Sequence, residues 1–225
     1  MILSAGLGTR LRPLTDRVPK PLLEVAGRPL IEHHLARLAG LGVARVVINL
    51  HHLGDRIRAH LGDGERFGVE IRYAPEPRLL ETAGGIHAAL PLLGDAPFLV
   101  MNGDVFCDYD PRPLLGGPGE ALCHLVMVPS PAWRTHGDFD LAEPLPRAGE
   151  RRALVDGGRR RFTYAGIGVY APALFATMAP GPLPLRPLLD AAIAGGRATG
   201  ELHEGVWDDI GTAERLQAAR QRFGS

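Results

Sequence analysis

Four short segments hold the residue types that phosphate chemistry needs. The first runs from Leu3 to Thr15: a short apolar stretch empties into Gly6 and Gly8, followed by Thr9, Arg10 and Arg12. Glycines let backbone N–H groups approach a phosphate without a Cβ in the way. Arginine adds a planar fork that pairs phosphate oxygens two at a time. The segment is neither a G-x-G-x-x-G dinucleotide turn nor a G-K-[ST] P-loop, because the third glycine and the lysine are missing. Taken alone, it also reads as a glycine turn with solvated arginines.

The second segment is Val18-Pro19-Lys20-Pro21-Leu22. Two prolines stiffen the backbone on either side of the ammonium and orient it. Of the 25 basic residues, 24 are arginine, and Lys20 is the remaining one. A compact ammonium fits between two converging anions where a broad guanidinium imposes its own spacing. The third segment, Asn102-Gly103-Asp104, follows the apolar run 97–101. It places a short carboxylate at a strand's C-terminal end, where open α/β sheets bind ligands and where a hard dication is well served. The fourth, Trp207-Asp208-Asp209-Ile210-Gly211-Thr212, precedes the last helical stretch. Asp209 offers a second carboxylate to the same ion, and Thr212 a helix cap.

These segments need a frame. Short apolar runs at 1–4, 22–25, 44–49, 69–73 and 97–101 alternate with helical patterns at 29–41, 53–61 and 81–93. Such β-α-β alternation implies a mostly parallel sheet with helices on both sides, a three-layer α/β/α arrangement. Beyond residue 110 the pattern becomes α+β. Strands are expected at 121–128 and 167–170, a hairpin over 151–164 turning at Asp156-Gly157-Gly158, and helices at 185–194 and 212–222. No stretch reads as a linker, so one domain over 1–225 is expected, with a first half (1–110) and a second half (111–225) on the same sheet.

Composition narrows the functional class. Lys plus Arg and Asp plus Glu are both 25 in a chain of 225 residues, so no basic excess marks a nucleic-acid binder. No apolar run reaches the ~20 residues of a membrane span. Cys107 and Cys123 are too few for a disulfide framework. The expected compartment is the cytoplasm, and the expected assembly a monomer or small homo-oligomer. Met1 falls on the first strand itself, which leaves room for a start a few residues upstream.

Taken together and in order, G-x-G-T-R-L-R-P-L-T, P-K-P-L, T-A-G-G (Thr82 to Gly85), N-G-D and W-x-D-I-G-T resemble the sugar-1-phosphate nucleotidyltransferases from Met1 to about Leu216. The stretches 62–68, 90–104 and 137–139 look most similar to the N-acetylmuramate-1-phosphate uridylyltransferases of cell-wall recycling. Mannose-1-phosphate guanylyltransferases and glucose-1-phosphate thymidylyltransferases share the first motifs. The resemblance implies a Mg²⁺-dependent reaction in which a sugar-1-phosphate oxygen attacks the α-phosphorus of a nucleoside triphosphate, UTP in the uridylyltransferases, and pyrophosphate leaves. It places Ala5, Gly6, Gly8, Thr9 and Arg10 on the triphosphate and Arg10 and Lys20 at the reacting phosphates. Asp104 and Asp209 fall on Mg²⁺, Glu76, Glu81, Thr82 and Gly84 beside the nucleotide, and Asn102, Asp138 and Gly166 beside the sugar. Larger relatives carry a second lysine in an E-K-P segment. Here Glu143-Pro144 stands without it, so an arginine substitutes or the sugar phosphate is held differently.

Catalysis of this kind is positioning and charge neutralisation. A phosphate monoester is already largely a dianion near neutral pH, so no general base is required. The histidines are therefore expected to be structural, with His51 and His52, just past a strand end, the ones nearest the site. A regulatory subunit that binds nucleotide sugars without turnover would be expected to lack Lys20, Asp104 or Asp209, and all three are present. A glycosyltransferase would want a D-x-D motif, which Asp108-Tyr109-Asp110 supplies in pattern. Substituting Lys20→Arg keeps the charge and should still remove most nucleotidyl transfer, with the thermal unfolding midpoint unchanged. Near-normal turnover would return the lone lysine to coincidence.

Overall fold

The computed structural model describes residues 1–147, 149–156 and 161–224. The chain runs β1 (Ile2–Leu3), a ribbon of β2 (Glu24–Val25) and β3 (Arg28–Pro29), α1 (Leu30–Gly40), β4 (Arg45–Leu50), α2 (Gly54–Leu61), β5 (Glu70–Pro75), α3 (Glu81–Leu93), β6 (Phe98–Asn102) and β7 (Val105–Cys107). It continues through β8 (Cys123–Pro129), β9 (Asp140–Leu141), β10 (Arg152–Val155), β11 (Phe162–Tyr170), α4 (Arg186–Ala194), β12 (Ala198–Leu202), β13 (Trp207–Asp209) and α5 (Ala213–Phe223). Of the apolar run at 22–25, Glu24–Val25 forms a strand, while Leu22 ends the 3-10 turn Lys20–Leu22 that holds Pro21.

The main sheet is mixed, with strand order β5-β4-β1-β6-β11-β8-β12-β10-β9. Its first four strands are parallel, as the β-α-β alternation requires. β11 then enters antiparallel between β6 and β8 and joins the two halves of the chain in one sheet. Side-chain alternation assigns the faces. Val47, Val100, Leu125 and Met127 point to one core, closed by Ala83, Ile86 and Ala89 of α3 and Leu189 and Ala192 of α4. Ile48, Met101, Val126 and Val128 point to the other, closed by Ile31, Leu35 and Leu38 of α1 and Ile57 and Leu61 of α2. The three layers follow. A third cluster, built on Leu11, Val25, Leu30, Ile210 and Leu216, fastens α5 beneath the loops that leave β1 and β13. Thr212 caps α5, accepting from the Arg215 N–H at 3.3 Å.

The expected hairpin over 151–164 does not form. β10 pairs with β12 and β9, β11 pairs with β6 and β8, and two strands separate them in the sheet. Gly157 and Gly158 of the expected turn, like Arg159 and Arg160, lie outside the described residues. A turn signal between two apolar runs is local, whereas β10 pairs with β9 before it and with β12, whose Thr199 and Gly200 lie more than 40 residues on.

His34 of α1 is 1% exposed, and its ring lies against the backbone of Asn102 and Val105, under the turn that carries Asp104. Burial, with Arg37 adding to it, pushes this imidazole down to about 3. The unfolded chain takes up the proton near pH 6.5, but the folded chain does not until about pH 3. Stability from this group is therefore complete above pH 6.5 and lost progressively as pH falls toward 3. Between pH 7 and pH 5, urea unfolding should show the native protein losing about 2 kcal/mol more than His34→Leu does. Parallel curves for the two proteins would overturn this.

Candidate active site

Two cavities open side by side at the C-terminal ends of β1, β4 and β6, the position where parallel sheets bind ligands. One, of about 340 Å³, is lined by Ala5, Gly6, Asn49 and Glu76 among others. The other, of about 450 Å³, is lined by Arg10, Trp133, Arg134, Asp138, Tyr164, Gly166, Arg186 and Asp209 among others. Glu81, Thr82, Asn102 and Asp104 line both, and so form the septum between them.

Lys20 lines neither cavity but meets the septum through Asp104. Its ammonium forms an ion pair with Asp104 Oδ2 and lies 3.8 Å from Asp209 Oδ1. The second oxygen of Asp209 accepts from Arg215 at 3.0 Å, and the Arg215 guanidinium stacks on Trp133, 4.1 Å from the ring centroid. Asp104 follows β6, and Asp209 ends β13, whose ladder with β7 pairs Asp209 with Val105. The Trp207 indole donates to the Ala165 carbonyl at 2.9 Å and fixes β13 against β11. Thus two carboxylates from distant segments face one cationic group. A pair of hard oxygen donors that already shares one cation suits a divalent ion completed by phosphate oxygens.

The glycine loop is held from behind. Gly8 has φ 64°, and a Cβ there would sit 2.8 Å from Thr15 Cγ2. Thr15 Oγ1 donates to the Gly8 carbonyl at 2.8 Å, and the ring of His52 bonds the Thr15 carbonyl at 2.8 Å. Gly8 and Thr9 themselves line neither cavity, so they shape the loop that presents Ala5, Gly6 and Arg10. His51 bonds the Glu76 carbonyl at 2.8 Å. The Glu76 carboxylate, 5% exposed, accepts from Asn49 Nδ2 at 2.7 Å and the Leu80 N–H at 3.0 Å. Asn49 Oδ1 in turn accepts from the Ser4 N–H at 2.8 Å. Glu76 is therefore a strut between β1, β4 and the start of α3 as well as part of the cavity wall. Gly84 does not line either cavity; a Cβ there would run into the Gly181 carbonyl, so its role is close approach of α3 to that loop.

On the larger cavity, Asp138 accepts from Arg134 at 2.7 Å and from the Tyr164 N–H at 2.9 Å. Gly166 has φ 75° at a shift in the β11–β8 register, and a Cβ there would lie 2.6 Å from Asn102 Nδ2. The bulge thus leaves Asn102 its place. Arg186 crosses the Phe139 ring at 4.4 Å and donates to the Asp138 carbonyl at 3.1 Å. Glu143, in the segment without the second lysine, pairs with Arg161 outside both cavities, and the guanidinium groups lining the larger cavity belong to Arg10, Arg134 and Arg186. Asp108 and Asp110 of the D-x-D pattern line neither cavity; they pair with His203 and Arg112. Sequence reading missed Asn49, Trp133, Arg134, Arg186 and Arg215, none of which stands in a short motif.

A family model described as nucleotidyl transferase covers residues 1–117. The chain is 46% identical to the N-acetylmuramate alpha-1-phosphate uridylyltransferase of Neisseria meningitidis serogroup B, over 100% of this chain and 98% of that protein. The chain belongs to the nucleotidyl transferase family. A protein of the same name from Caulobacter vibrioides is 35% identical over 99% of this chain and 96% of its own length. The fold is that of the solved UDP-glucose pyrophosphorylase of Acinetobacter baumanii, with a TM-score of 0.81 at 18% identity, covering 99% of this chain and 92% of that one. No helix among the described residues is long and apolar enough to cross a membrane.

In this nucleotidyl transferase, His52→Ala removes one hydrogen bond behind the glycine loop and touches neither cavity. Loss of about 1 kcal/mol of loop order corresponds to a roughly fivefold fall in kcat/KM for the nucleotide. Initial rates at varied nucleotide would read it. An unchanged value would mean the Thr15–Gly8 contact holds the loop unaided.

Proposed function

We propose that this nucleotidyl transferase moves a uridylyl group from UTP to a sugar-1-phosphate of the N-acetylmuramate type and releases pyrophosphate, with Mg²⁺ as its ion, in the recycling of cell-wall sugars. The observation that carries this reading is Lys20 meeting Asp104 and Asp209 where two cavities adjoin. One cavity suits a nucleotide and the other a sugar, and the meeting point suits two phosphates. Both full-length relatives described above carry the uridylyltransferase name.

The chemistry follows from charge. A sugar-phosphate oxygen attacks the α-phosphorus, the bond to the bridging β-phosphate oxygen breaks, and pyrophosphate takes the electron pair. Bringing the two anions together is the main cost, and fixed cations lower it. Asp104 and Asp209 would hold Mg²⁺, which neutralises phosphate oxygens when bound. Lys20, released from its carboxylates, would sit between the α-phosphate and the sugar phosphate. Arg10, on the cavity wall, would meet charge growing on the pyrophosphate. The Ala5–Gly6 backbone would hold the triphosphate, and Glu81, Thr82 and Asn102 would orient both substrates across the septum. Asp138, fixed by Arg134, would bond the sugar. Arg134 and Arg186 supply positive charge on that side, which suits an acidic sugar in the absence of a second lysine.

A matrix of UTP, dTTP, GTP, CTP and ATP against muramate, glucose and mannose 1-phosphates, read as pyrophosphate release with Mg²⁺, tests this. UTP with N-acetylmuramate 1-phosphate should give the highest kcat/KM. GTP with mannose 1-phosphate leading the matrix would overturn the specificity, and no release from any pair would overturn the sugar-phosphate reading.

A further inference from the structure

Cys107, Asp108 and His203 bring one ligand atom each to within 4.8 Å of one another, at the Cys107–Trp207 end of the β7–β13 ribbon, away from the Val105–Asp209 end. The function described above uses none of the three. The ligand types differ from those at the septum: a thiol, an imidazole and a carboxylate form a borderline-soft set, which favours zinc-like ions over magnesium.

The site is built rather than incidental. Cys107 is 4% exposed, and its sulfur accepts from the Tyr109 N–H at 3.3 Å, the outer contact that orients a sulfur ligand. His203 stands edge-on to Tyr109, with ring centroids 5.4 Å apart, and its Nε2 lies 2.8 Å from Asp108 Oδ1. Gly205 closes the cradle: a Cβ there would lie 2.5 Å from Asp108 Oδ1 and 2.6 Å from His203 Cε1. A side chain at 205 would fill the space that the ligand atoms share. Asp108 is exposed, so an ion reaches the cradle from solvent.

We propose that Cys107, Asp108 and His203 bind a zinc-class divalent cation that clips the end of the β7–β13 ribbon. On binding, the thiol proton leaves to solvent and the sulfur ligates as thiolate, with no change of oxidation state. The clip lies two ladder positions from the Val105–Asp209 pair, since Cys107 faces Trp207 in the same ladder. Ion binding therefore stiffens the ribbon that aims Asp209.

Co²⁺ titration of the full-length protein in Mg²⁺ buffer tests this. A thiolate-to-cobalt charge-transfer band should grow to saturation at about one ion per chain and be displaced by Zn²⁺. His203→Ala and Cys107→Ser should abolish the band, and Gly205→Ala should weaken Co²⁺ binding at least tenfold. Cys123→Ser, Asp104→Asn and Asp209→Asn should keep it. Zn²⁺ should also raise the thermal unfolding midpoint of the native protein and leave that of His203→Ala, which keeps both cysteines, unmoved. No thiolate band in the native protein would overturn the proposal. So would a band that survives Cys107→Ser, or a Zn²⁺ shift that survives His203→Ala.

Discussion

Lys20 and Asp104 lie 84 residues apart, yet their side chains form an ion pair in a partly buried pocket where Asp209 is the next neighbour. Removing Lys20 would leave the partly buried Asp104 without its cation, which costs more than an exposed pair returns. The arrangement balances: two carboxylates face one ammonium and one guanidinium, that of Arg215. A divalent ion added to this set tips it positive, which is the sign that two phosphate esters require. Each participant comes from a different element: the proline-flanked turn, the end of β6, the end of β13 and the first turn of α5. The fold is what makes the set simultaneous.

Much of the surrounding structure serves to keep those elements still. The two face-specific cores hold β4, β1 and β6 at fixed height, so Asn49 and Asn102 emerge on either side of β1 and line one cavity. Hydrogen bonds then pass order outward from the strand ends. Ser4, Asn49, Glu76 and Leu80 form one chain, and Gly8, Thr15 and His52 another. Buried polar contacts of this kind cost dearly when half satisfied and specify one arrangement when complete. The two histidines that follow β4 bond backbone carbonyls, His51 that of Glu76 and His52 that of Thr15, and so brace the neighbouring loops.

The helices α1 and α3 were legible from periodicity, and α3 begins and ends at the residues the pattern indicates. β12 was not, because Ala198-Thr199-Gly200-Glu201-Leu202 has no apolar run; it is a strand because β8 offers a parallel edge over five residues. The local reading of 151–164 as a hairpin failed for the same reason, since strand partners are chosen by the whole sheet. Among site residues, Lys20, Asp104 and Asp209 were legible because each sits in a rigid local context at an element's end. Arg134, Arg186 and Arg215 were not. In a chain with 24 arginines, residue type alone carries no information about which guanidinium faces a cavity.

The amino-acid sequence determined the layer architecture, through alternation of period two and period 3.6, and it determined which charged residues have rigid local backbones. Both properties arise from neighbours in the chain, so they can be read there. Tertiary structure alone decided that Lys20 stands between two carboxylates, that Glu76 is a strut as well as a wall, and that Asp108 stands at the end of a ribbon and lines neither cavity. Those outcomes depend on strand order and on where β11 enters the sheet. Pairing energies summed over many distant residues set that order, and no short segment carries them.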